Sequence, residues 1–444
     1  MLLNIRYLAF FGVAVAIPDE RVRQASASSS RSSSISSILS SFSSASSSSA
    51  SASASASTST STTSNSTASN PQGAINTTIL APSISHLPPG PNATSYPSDG
   101  KLHAPEPAPY TPAGGLGTNG SEPVYVPQSD FDFESLALVL YQEYIELDLF
   151  RSALKRFSVQ EFEAEGINSE YRELIRFMSD QEVGHATMVA NILGPKAPQP
   201  CNYSYPFTTV GSFIDYSQKS TRYGESGVLG FLAHLNSRPA ASLLSQSITT
   251  ESRQQAIFRQ FKGLFPMPIY FVPGIPQSWH WTLLAPSISS CPSNQTRLIW
   301  QNFPALTIGN NPNSSNSGGV FNTPAISHNL SNPLTYPGRE VQLSWELPGK
   351  PVGPDKSYIT NTTAGAPKFV AWVSSLNVTY SPLKTINNTS GTTIQPNTTT
   401  LGGAPAINGT MFIAVTDTDL VVTPFNLSMI NPHVVAGPAL YQAG

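Results

Sequence analysis

The sequence predicts a mainly α protein: a four-helix bundle, a small β-rich C-terminal unit behind it, and a long disordered N-terminal region ahead of it. Three observations carry this. Residues 131–263 are the one stretch dense in charge, with apolar side chains recurring at steps of three and four, as on a helix with one buried face. After Arg339 the pattern changes to short alternating or β-branched runs between turn clusters, which read as strands. Residues 17–69 are Ser/Ala-rich with almost no large apolar side chain, too little to offset the entropy of ordering them.

In chain order, residues 1–16 read as a signal peptide. Arg6 precedes the apolar run Tyr7 to Val15, and Ala14-Val15-Ala16 suits cleavage. The run is too short to span a bilayer, and the expected location is secreted or extracellular, including the cell wall. Residues 17–128 form a Ser/Pro-rich stalk and linker. Asn-x-Ser/Thr sequons crowd the region past residue 290 and favour a glycoprotein. A net charge of −3 offers no basic footprint for nucleic acid. Two cysteines, Cys201 and Cys291, suit one disulfide in an oxidising compartment, against the alternative of two buried thiols.

Helix A opens at Ser129-Asp130 and runs to about Phe157. Leu136, Leu140, Leu147, Phe150 and Leu154 mark its core line, and Glu143 fills the missing position. Helix B has Ser169 as its cap and stops at Gly194-Pro195. A third helical stretch spans about Ser212 to Leu235, with a break expected near Tyr223-Gly224; Gly227 and Gly230 suggest close packing. Pro239 suits the first turn of helix D, which stops at Gly263. The bundle with its trailing loop occupies 129–310, a linker 311–338, and the β-rich unit 339–444. Trp279 to Leu284 reads as an apolar anchor onto the bundle near the disulfide, with His280 between its two tryptophans as a hydrogen-bonded interface residue.

The chemistry lies in the bundle. Residues three apart on a helix share a face, so Glu182 and His185 form a Glu-x-x-His pair directed at the core. Bundles that hold two metals use such pairs on two helices and one carboxylate from each of the others. Helix D offers Glu251 with Gln254, helix A offers Glu143 and Glu146, and the third helix offers Glu225. The bland alternative is a structural network in which Glu146, Glu182 and Glu251 pair with Arg151, Arg172 or Arg253.

Glu143-Tyr144-Ile145-Glu146 with Phe150, the Glu182/His185 pair, Gln199-Pro200-Cys201 and Thr249 to Gln254 together resemble the secreted fungal ferritin-like domain proteins. That family includes late sexual development and stress-response proteins. Leu284-Ala285-Pro286, Ser290-Cys291-Pro292, Phe303-Pro304-Ala305-Leu306 and Leu343-Ser344-Trp345-Glu346 continue the match, which spans roughly residues 129–440. The resemblance implies a ferritin-like bundle holding iron or another transition metal, singly or as a pair, with oxidase activity on the metal as the enzymatic expectation. It implies Glu143 and Glu225 as terminal ligands, with Glu146 the other helix-A candidate. Glu182 and Glu251 would bridge, and His185 and Gln254 would complete the set. At Gln254 the chain departs from its relatives, which commonly have His. The rival expectation is a non-catalytic cell-wall structural glycoprotein with a vestigial metal site, partnered by polysaccharide.

Overall fold

The computed structural model describes residues 99, 101–105, 125–295, 297–312, 334–400 and 405–444. The expected signal peptide, nearly all of the stalk, and residues 313–333 of the linker lie outside them.

The bundle consists of α1 (Asp130–Arg156), α3 (Ser169–Leu193), α4 (Val210–Leu232) and α5 (Arg238–Phe261). The Ser129 hydroxyl accepts from Asp132 N to start α1; Asp130 and Asp132 face its positive end, and Lys155 and Arg156 its negative end. The connection to α3 holds a further short helix, α2 (Val159–Ala164), started by a Ser158/Glu161 capping box. Asn168, not Ser169, caps α3, because its side chain accepts from Tyr171 N. Thr209 and Ser212 make the box that opens α4, and α4 runs unbroken through Tyr223-Gly224. Gly224 is needed there for packing, since a Cβ would strike the side chain of Gln142 on α1.

Successive helices pair as α1 with α3 and α4 with α5. Asp132 ties the two hairpins together by accepting from the backbone N–H groups of Gln128, Asn236 and Ser237 at 2.8 to 2.9 Å. Helix α6 (Gln277–Leu284) lies across α4, its Trp279 and Trp281 fully buried. Glycines set that closeness: a Cβ at Gly227 would collide with the His280 ring, and one at Gly230 with the Ile275 carbonyl. His280 Nε2 donates to Gln142 Oε1 at 3.2 Å while Nδ1 has no partner among the described residues, so only one of the two expected bonds forms there. Burial holds that imidazole neutral, with its pKa down at about 3.

The Cys201–Cys291 disulfide closes the crossover between α3 and α4 onto the chain leaving α6. Beside it, β1 (Asn202–Tyr203) pairs with β2 (Ile288–Ser290). The C-terminal unit is a sandwich of two antiparallel four-stranded sheets. One contains β3 (Leu306–Ile308), β4 (Glu340–Trp345), β10 (Ser390–Ile394) and β9 (Lys384–Asn387) in that order. The other contains β12 (Val434–Gln442), β11 (Thr410–Thr416), β7 (Phe369–Ser374) and β8 (Asn377–Pro382). A two-stranded ribbon, β5 (Pro351–Val352) and β6 (Tyr358–Ile359), sits apart from both. The sandwich thus begins inside the stretch read as the bundle's trailing loop.

Side chains alternate along a strand, and here both faces of one sheet are inside. Val370, Trp372, Met411, Ile413 and Val415 meet Val341, Leu343 and Trp345 of the opposite sheet. Ala371, Val373, Phe412 and Ala414 face the other way and join the core that includes Leu140, Trp279 and Trp281. Polar contacts lock the same junction: Arg259 of α5 donates to Thr410 Oγ1 at 3.2 Å, and Gln218 of α4 to Gln442 Oε1 at 2.9 Å.

Candidate metal centre

Six carboxylates are buried in the bundle: Asp132, Glu143, Glu146, Glu182, Glu225 and Glu251. A buried charge is costly unless it is paired or bonded, so the contacts of each decide what it is for. Asp132 is satisfied by three backbone donors. Glu225 is satisfied by Arg222, one turn earlier on the same helix, at 2.8 Å, and by the Ser252 hydroxyl. That corrects the reading of Glu225 as a terminal ligand: its counter-ion is supplied from its own helix, and it joins neither cluster described next.

The other four converge. Ligand atoms of Glu143, Glu182 and His185 lie within 4.8 Å of one another, and so do those of Glu143, Glu146 and Glu251. Glu143 is common to both groups. His185 Nδ1 is 3.0 Å from Glu182 Oε2, 3.4 Å from Glu143 Oε2 and 4.0 Å from Glu251 Oε1. Neither oxygen of Glu146 or Glu251 has a hydrogen-bond partner among the described residues, and Glu143 has His185 Nδ1 at 3.4 Å. No arginine answers them; Arg172 donates instead to the Leu154 carbonyl, and Arg151 and Arg253 are exposed. The structural-network alternative therefore has no arginine pair here to rest on; the counter-charge at hand is His185, beside Glu182 and Glu143.

Gln254 does not mirror His185. Its amide nitrogen donates to Glu182 Oε1 at 2.5 Å, and its own Oε1 is buried without a partner among the described residues. Thr250 is a residue that sequence reasoning passed over. Its hydroxyl donates to the Ser247 carbonyl at 2.6 Å and so accepts from His185 Nε2 at 3.0 Å, which leaves Nδ1 as the ring atom turned to the carboxylates. An imidazole fixed through its far nitrogen is the usual support of a metal-binding His. In a chain this rich in hydroxyls nothing marks Thr250 until α3 and α5 are set face to face.

Without a metal the site holds protons instead. Burial pushes the Glu143 carboxyl up to about 7, against the pull of His185. Glu146 and Glu251 go well above the usual carboxylate range, through burial first and then repulsion from neighbouring glutamates. Burial alone would depress His185, but the charges of Glu143 and Glu182 outweigh it and hold the imidazolium up to about 12. The raised value of Glu143 means that it helps the metal-free fold most below pH 4.5, and that this help is lost as pH rises through about 7; Glu146 and Glu251 act in the same direction. A metal needs the same groups deprotonated, so its affinity moves the opposite way. The stabilisation a divalent metal gives, read as the shift in denaturation midpoint between metal-free and loaded protein, should grow from pH 5.5 to 7.5. A shift that stays flat or shrinks over that window would contradict the site.

Residues 129–264, which contain all of these side chains, match the model of the ferritin-like domain. Over 350 residues the chain is 53% identical to Protein rds1 of Schizosaccharomyces pombe, an alignment covering 76% of this chain and 87% of that protein. The chain belongs to the fungal ferritin-like stress-response family. Its ferritin-like bundle places glutamate pairs, or a glutamate with His or Gln, at i and i+3 on α1, α3 and α5. On α4 the corresponding pair is Arg222 and Glu225, which neutralise each other.

Proposed function

We propose that this stress-related ferritin-like protein binds a pair of divalent transition-metal ions, iron foremost, between α1, α3 and α5. The observation that carries the reading is the convergence of Glu143, Glu146 and Glu251 in the buried core, the oxygens of Glu146 and Glu251 having no hydrogen-bond partner among the described residues. Charge supports a pair over a single ion. Glu143, Glu146, Glu182 and Glu251 bring four negative charges when ionised, which two divalent cations balance and one does not. The donor set of carboxylates with one imidazole suits iron or manganese. Glu143, common to both groups, would hold the metals together with His185 and Glu182 and with Glu146 and Glu251, in place of the terminal role expected for it. A redox-active pair held there would supply one-electron chemistry in a site shut off from bulk water.

Secretion belongs to the same proposal. The Cys201–Cys291 bridge supports it, as do the sequon asparagines Asn202, Asn294, Asn361, Asn387 and Asn397, all exposed. Those asparagines equally favour the second reading, an extracellular or cell-wall structural glycoprotein with polysaccharide as its partner. Among the described residues no helix is long and apolar enough to cross a membrane. Metal content separates the two readings. Protein produced with ample iron and desalted should carry close to two ions per chain, and Glu182→Ala and Glu251→Ala should each carry fewer. A wild-type chain that retains no metal after iron-replete production would leave the scaffold reading in place.

A further inference from the structure

We infer that a cavity beside the β5–β6 ribbon is a binding site for a small aromatic carboxylate that also carries a hydroxyl. The cavity lies outside the helical bundle, and the inference does not rest on the metal-binding reading.

The ribbon belongs to neither sheet of the sandwich. It is anchored by Tyr358, whose ring meets Trp281 of α6 edge-on with centroids 5.1 Å apart, and by Asp355, whose Oδ2 accepts from Cys291 N at 3.2 Å. Between the ribbon, the end of α6, β2 and residues 302–305 is a cavity of about 400 Å3, a size typical of small-molecule sites.

Three features of its lining point to a ligand. The walls are mostly apolar and include Ile288, Phe303 and Val352. Asn302 also lines the cavity and is only 3% exposed. Its Nδ2 donates to the Trp281 carbonyl at 3.2 Å, but its Oδ1 has no partner among the described residues. A buried acceptor left without a donor is costly, and a ligand hydroxyl would supply one. The third feature is charge. Lys350 and Glu346 pair with each other at 2.6 Å, which leaves Lys356 as the lining cation with no ion pair among the described residues.

Lys356 is held beside the cavity in a conformation that lysine disfavours. Gly353, Asp355 and Lys356 have φ of 73°, 54° and 52°, the left-handed region that glycine enters freely and aspartate tolerates. Such strain persists where the surroundings over-determine it, and it gathers at ligand clamps. The chemistry of the ligand follows from these pieces. A carboxylate answers Lys356 and a hydroxyl answers Asn302. A flat ring between them packs on Phe303 with little conformational entropy to lose.

The test is calorimetric titration of the full-length protein with 4-hydroxybenzoate, 4-hydroxyphenylacetate and 3-(4-hydroxyphenyl)propanoate, which set the two polar ends progressively further apart. At least one of them should bind saturably, one molecule per chain. Its analogue without the hydroxyl should bind about threefold to tenfold more weakly, as expected for one lost hydrogen bond. Its primary amide, which lacks the charge, should lose about tenfold or more. Lys356→Asn puts a residue that tolerates the left-handed region in place of the cation, so the fold should be kept while the preference for acid over amide disappears. Asn302→Leu should abolish the preference for the hydroxyl; if that variant fails to fold, Lys356→Asn still decides. Absence of saturable binding for all three acids would overturn the inference. Binding that Lys356→Asn leaves unchanged would overturn it too, because the acid would then sit elsewhere.

Discussion

Replacing Glu143 by glutamine should cost the protein both metal ions, not one. Glu143 is the residue that both ligand groups share, with His185 Nδ1 3.4 Å from its Oε2. Glutamine keeps the shape and one oxygen but removes the charge and the ability to hold two cations at once. Metal per chain after desalting should fall from about two to well under one. A matched control is Glu225→Gln, which removes an Arg222 partner and should lower stability while leaving metal content near that of the wild type. Retention of one tight ion by Glu143→Gln would show that the halves bind independently, and the shared-carboxylate arrangement would be wrong.

The second large effect is expected from removing the disulfide. Cys201 and Cys291 close a loop of 90 residues that contains α4, α5 and α6. In the chain-entropy account, opening a loop of that size frees the unfolded chain by about 4–5 kcal/mol, with measured losses for native bridges of about 2–5 kcal/mol. The bridge has local company: Gln295 bonds both to Gln199 N and to Gln199 O, and β1 pairs with β2 beside it. These contacts hold the folded geometry but do nothing for the unfolded chain, so they cannot stand in for the bond. The Cys201→Ser/Cys291→Ser protein should therefore show a clearly lower denaturant midpoint than the wild type under oxidising conditions, and the two should converge when the wild type is reduced. A change below about 1 kcal/mol would place the stabilisation elsewhere.

Much of the bundle was legible because a helix with one buried face writes its period into the sequence. Leu136, Leu140, Phe150, Ile248 and Phe258 mark that face, and Glu143, Glu182 and Glu251 are legible as intrusions on it. Short or doubly buried elements were not. The helix α2 is six residues long and has no period to read. The strand β12 is largely buried along its length and contains Gly437-Pro438, so it neither alternates nor runs unbroken. Glu225 was misassigned for a different reason. Spacing shows that a carboxylate points inward but not what meets it, and Arg222 at i−3 was there to be weighed. Thr250 required the register between two helices, which no single helix encodes.

The sheet of β7, β8, β11 and β12 has a consequence for how this protein can be divided. Its strands present Ala371, Val373, Phe412 and Ala414 to the helical side and Val370, Trp372, Ile413 and Val415 to the sandwich side. Such a sheet is a party wall whose strands β7 and β11 are covered on both faces. A cut between the helices and the sandwich bares a continuous apolar surface on each fragment, whichever side of the wall it falls. The ferritin-like bundle recognised over residues 129–264 is thus a unit of resemblance but not a unit of folding. Its portability in engineering, and its freedom to recombine with other domains, is restricted to arrangements that bring an equivalent wall with it.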